Sequence, residues 1–196
     1  HYELGLDFAL LMLIFPIGII EVVLGRLMMD LESSQKFCSA YEADSLSKGY
    51  LTIYYQRLCL CAVVSLLAAA FTYGIVRFLD SRALIPRLSN MLFDGNNKIT
   101  ITHFVLIIAL LAYAILSVAM MNTLILFSLS QPEMVNKSIL PALLTNIVTG
   151  FLLSRWIDYY FAVFGLLAGA IIFLVLSTTR VIKVLSHLDY YLYAAA

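Results

Sequence analysis

Asp7 and Glu21 are the two acidic side chains inside the first long apolar run of this 196-residue chain, fourteen positions apart. At 100° per residue they fall about 40° apart on one helix face, and Gly18 and Gly25 share that stripe. A carboxylate turned to lipid costs a few kcal/mol, so Glu21 is expected to face a cavity, a partner or water. There it would line a transport pathway and take up a proton. Pro16 lies between the two acids and is expected to kink the helix at mid-membrane, because it removes a backbone hydrogen bond. The plainer reading makes both acids helix-end charges near the two interfaces, one of them close to Arg26.

Two amides are the next polar groups at membrane depth, Asn122 and Asn146, the second beside Thr145. Sugar hydroxyls would suit such groups, and so would hydrogen bonds to a neighbouring helix, the commoner use of an amide in a span. With Asp7 and Glu21 they are the candidates for lining a substrate path. Tyr113 and Ser117 share a face, whereas Asn122 projects on nearly the opposite side from Tyr113, so the three cannot line one groove.

Arg180, Lys183 and His187 recur at helical spacing just past the last apolar run, a basic face suited to anionic lipid heads and to a helix C-terminus. Trp156, Tyr159 and Tyr160 read as an interfacial aromatic anchor. Cys38, Cys59 and Cys61 are an odd set, and the last two, inside an apolar run, read as apolar filler rather than a disulfide framework. His103 and His187 have no partner at ligand spacing. With no zinc motif, phosphate loop or nucleophile elbow in the sequence, no metal, cofactor or enzyme chemistry is expected.

These groups need elements to hold them, and composition says which. Hydrophobic residues make up 63% and charged residues 12%, with a mean hydropathy of +0.97, against roughly 45–50% and 25% in soluble domains. Twelve basic and twelve acidic residues balance, which gives no footprint for nucleic acid. Apolar runs of about 20 residues match the bilayer core, and the alternation of a β-barrel is missing. The expected fold is therefore all-α, a polytopic transmembrane bundle of about five spans near 4–25, 54–79, 99–129, 138–154 and 158–185. An amphipathic linker helix over 26–50 could lie along the interface, or those residues could extend the spans as solvated helix. Turn signals fall at Pro86 and Asp94 to Asn97, a short polar loop surrounds Pro132, and the last two spans form a tight hairpin. Seven of the Lys and Arg fall on the side of the first connection and the C-terminus and five on the other, which favours a cytoplasmic C-terminus. The chain opens on His1 rather than Met and reads as part of a longer protein.

The stretch from Asn146 to Tyr193 includes the run DYYFAVFGLLAGA from Asp158, then Arg180, Lys183 and the ending SHLDYYLY. It resembles the C-terminal end of the inner-membrane protein of Pel exopolysaccharide export, the PelG-like family. The opening YELGLDFALLMLIFPIG, followed by a linker with Phe37 and Tyr41, is similar to a mid-chain span and linker of that family. The resemblance implies two helix bundles related to multidrug and oligosaccharide flippases, of which this chain would be the second. It implies export of a growing polysaccharide or lipid-linked glycan across a bacterial inner membrane, as part of biofilm formation. Membrane lipids, the glycan and a glycosyltransferase or other membrane subunit are the partners it suggests. The alternative is a structural or assembly subunit, in which Gly165, Gly169 and Ala170 only pack helices and Asp7 and Glu21 pair with a neighbour.

Overall fold

The computed structural model describes residues 2–37, 43–81 and 100–187. The turn signals from Pro86 to Asn97, the Phe37–Tyr41 linker beyond Phe37 and the ending from Leu188 to Tyr193 lie outside the described residues. The elements are α1 (Tyr2–Leu11), α2 (Ile14–Phe37), α3 (Ala43–Ser81), α4 (Ile101–Ser128), α5 (Pro132–Trp156), a 3-10 turn (Tyr159–Ala162) and α6 (Val163–Ser186). Among the described residues every element is helical, and five helices are long and apolar enough to cross a membrane, with α1 and α2 together making the first. The protein is an all-α bundle of membrane-spanning helices.

The first span breaks where the sequence says it must. Pro16 cannot donate to the carbonyl four residues back. The chain adjusts with the tight bonds Met12 N to Ala9 O and Leu13 N to Leu10 O, and regular bonding resumes at Ile17 N to Leu13 O. The described residues of 26–50 follow the second of the two readings offered for them, helix that extends the spans, and one further boundary, at Pro132, differs from expectation. Neither Pro nor Gly interrupts the sequence between Gly25 and Gly49, so helix propagates past the apolar run. Residues 26–37 accordingly continue α2, and 43–50 belong to α3. Among the described residues there is no separate linker helix over 26–50. The polar stretch around Pro132 is largely the start of α5, because proline fits the first helical position, where its missing N–H costs nothing.

Helix α4 is the hub. It packs against α1, α3 and α6 and also meets α2 and α5, and 56% of its most apolar window is buried, against 17% for α5. A helix that is apolar all round is suited to that position. One core cluster joins Ile20, Leu27, Tyr50, Tyr54, Leu126 and Val181 at the end holding the α4–α5 turn. The second joins Ala9, Met12, Val76, Val105, Leu106 and Val163 toward the other end. The outer surfaces carry large exposed side chains such as Leu67, Phe71, Leu144 and Phe151, the pattern lipid requires.

The α4–α5 turn bends through Ser130, at φ 56. Gln131 N reaches back to Leu126 O and Ser130 N to Phe127 O, satisfying carbonyls the helix end leaves open.

Candidate functional site

The polar groups of the interior form three levels along the α3–α4 interface. At one level Tyr54 Oη donates to Asn122 Oδ1 at 2.9 Å, while Asn122 Nδ2 donates to Ser177 Oγ at 3.2 Å and Thr178 Oγ1 at 2.9 Å on α6. Asn122 is fully buried. Its carbonyl and its amide are both used, so it ties three helices together and is not open to a cargo in this arrangement. Near the middle Ser65 and Ser117 share a 2.6 Å hydrogen bond, and each also lies within bonding distance of a carbonyl of its own helix. Toward the far end Tyr73 Oη and His103 Nε2 lie 2.9 Å apart. From Tyr54 to Tyr73 the levels span about 28 Å of helix, close to the full hydrocarbon thickness.

Asn146 sits elsewhere. On α5, Ala142, Asn146 and Gly150 recur every four residues against Gly165 and Gly169 of α6. A Cβ added to Gly165 would lie 2.6 Å from Asn146 O and from Gly150 N and Cα, and one on Gly169 would lie 2.8 Å from Asn146 Cβ. Backbones therefore touch at this crossing, the use of small residues that membrane helices favour. The Asn146 side chain is half-buried at the edge of an open-sided, largely apolar groove of about 280 Å³ between α4, α5 and α6, with Met120, Leu143 and Phe173 among its walls.

Asp7 and Glu21 both face outward. Among the described residues Glu21 has neither a hydrogen bond nor an ion pair. Phe15 meets Phe71 edge-on at 5.8 Å and Tyr50 Oη donates to Asp30 O at 2.9 Å. Between these contacts Glu21 falls at the level of about Ala62, inside the charge-free run 58–76 and five residues along from both Arg26 on its own helix and Arg57 on α3. The four pathway candidates thus occupy three separate places: Asp7 and Glu21 on the outside of the first span, Asn122 in the core, and Asn146 beside the groove.

Arg180 is more than a lipid-facing charge. Its Nη2 donates to Lys137 O at 3.0 Å and its Nη1 to Met134 O at 3.2 Å. Lys137 O is the carbonyl that Pro141, inside α5, cannot serve, so the guanidinium replaces the missing helical bond and fastens α6 to α5. Lys183 remains exposed in the last turn, and Trp156 and Tyr159, at 78% and 58% exposure, cap the hairpin.

Sequence reasoning missed Tyr54, Ser65 and Tyr73 as partners of α4. Their signal was polar atoms recurring on one side of the α3 apolar run. No group of three His, Cys, Asp or Glu side chains suited to a metal occurs among the described residues. In comparison with known proteins, no family model, no curated protein and no solved structure matches this chain.

Proposed function

We propose that this chain forms one helical wall of a membrane transporter that exports an exopolysaccharide or a lipid-linked glycan by a flippase-like mechanism. The reading places it in a bacterial inner membrane with the C-terminus in the cytoplasm. The observation that supports it most is Glu21, an exposed carboxylate within the apolar run of a proline-broken span, with nothing in its own bundle to meet. A simple anchor gains nothing from that expense. The face of α1 and α2 is then the one turned toward the rest of the transporter, and the proline break gives it a place to bend. The likeness of the last two spans to the Pel export family supplies the class of cargo.

A second reading, an assembly subunit without transport, draws support from the interior, where Asn122 and the Ser65–Ser117 pair are spent on holding helices together. The two separate in cells that make the glycan. Deleting the gene is expected to stop secretion while glycan or its lipid-linked precursor accumulates inside, and Glu21→Gln at normal membrane levels is expected to reproduce much of that loss. Secretion that continues in the deletion strain would refute the transport reading.

A further inference from the structure

We propose that the groove between α4, α5 and α6 is a slot for one acyl chain of a phospholipid in the surrounding leaflet. The proposal goes beyond the transport reading and holds whether or not the assembly moves a cargo.

The groove exists because α4 and α5 each pack along α6 but hardly touch one another. Its floor is Ala142, Gly169 and Ala170, all buried and too small to fill the gap between the exposed rims at Met120 and Leu143. The three spans fix its depth. Leu116, Leu143 and Phe173 line it, and each lies within two positions of the midpoint of its span. No Asp, Glu, Lys or Arg occurs in α4, in α5 between Lys137 and Arg155, or in α6 before Arg180.

Size and surroundings select the occupant. The groove runs from Ile139 to Asn146 along α5 and from Leu166 to Phe173 along α6, about 10 Å on either helix. A volume of about 280 Å³ over that length leaves a channel roughly 5 Å across, against about 10–12 Å for a helix with its side chains. An unbranched methylene chain, whose carbons keep their neighbours at about 4 Å, fits. Water gains nothing there, because apolar cavities stay dry and take apolar guests. Left empty, the walls would forfeit their dispersion contacts. The rim on α5 is continuous with an outer surface on which Leu140, Leu144 and Ile147 stand exposed, so chains of the leaflet reach the opening directly. These chains are as apolar as the walls, so the gain comes from fit and not from leaving water.

The test uses the full chain in digitonin micelles, whose rigid steroid tail is too wide for the groove, titrated with a phosphatidylcholine that carries a photoreactive diazirine at mid-chain. Mass spectrometry reads the labelled residues. Labelling at Met120 and Leu143 is expected to saturate near one lipid per chain and, at low lipid, to exceed that at Leu144 several-fold. Leu143→Trp, which narrows the opening, should lower labelling at Met120 several-fold, while Leu144→Trp, one position along, should leave it unchanged. Both positions are exposed, so the variants should fold. Asn146→Ala should also leave labelling unchanged, because a hydrocarbon chain asks nothing of the amide. Equal, unsaturable labelling at the three positions would overturn the proposal. So would its loss with Asn146→Ala, which would mean that a polar group holds the guest. Displacement of the probe by a polyprenyl phosphate at far lower concentration would give the groove to an isoprenoid carrier, and labelling lost in a dimeric fraction would give it to a second copy; either result would refute the acyl-chain assignment.

Discussion

Replacing Gly165 and Gly150 by alanine, one at a time, should move stability in opposite directions although both sit on the same helix crossing. At Gly165 the new Cβ would lie 2.6 Å from three backbone atoms of α5, where ordinary contact begins at 3.4 Å, so the helices must part by about 0.8 Å. Backbone cannot swing aside as a side-chain tip can, and overpacking of this kind costs about 1–3 kcal/mol. The better helix propensity of alanine returns about 1 kcal/mol, which leaves a net loss of up to about 2 kcal/mol. At Gly150 the nearest atoms to the new Cβ are Ala162 O at 3.5 Å and Gly165 Cα at 3.9 Å, so it fits, and the propensity gain of about 0.5–1 kcal/mol stands alone. Thermal unfolding in mild detergent, followed by loss of monomeric protein on size exclusion, reads both. Variants that shift in the same direction would show that α5 and α6 do not cross as closely as described.

Three further experiments probe the helix contacts and the α4–α5 turn. Asn122→Leu removes the tie to Tyr54, Ser177 and Thr178 and should lower stability by about 1–2 kcal/mol, measured by the same unfolding. Arg180→Ala should destabilise the wild-type chain but have little effect in a Pro141→Ala background, where an amide N–H again serves Lys137 O. A coupling near 1 kcal/mol in that double-mutant cycle is expected, and simple additivity would contradict the assigned role of the guanidinium. Ser130→Gly should stabilise the α4–α5 turn by roughly 0.5–1 kcal/mol, since the left-handed backbone there suits glycine.

The spans were legible because lipid demands long charge-free runs, and 58–76 and α4 supply them without ambiguity. Their ends were less so. Hydropathy marks where a helix leaves the apolar layer, not where it stops, and the stretch after Gly25 continues as helix through Phe37 for want of a breaker. Asn122 stood out as a group needing a partner, yet periodicity names only the face it occupies. Tyr54 and Thr178 became its neighbours through tertiary packing. The same limit hid the link from Arg180 to Lys137, 43 positions apart: the amide missing at Pro141 was visible in the sequence, but its replacement was not. Counting residues put Asp7 and Glu21 on one helix face; the chain carries them on two helices, α1 and α2, with the tight bonds at Met12 and Leu13 between them, and both are exposed.

The central claim, that the Glu21 face of α2 meets protein or a wet passage in the working assembly, is open to direct measurement. Spin labels on cysteine-substituted Ile14 and Leu144, each 66% exposed in the isolated chain, can be compared by oxygen accessibility in native membranes, with the natural cysteines replaced. The account predicts high, lipid-like accessibility at position 144 and markedly lower accessibility at position 14, with the difference lost in the purified chain alone. Equal, lipid-like accessibility at both positions in native membranes would contradict it.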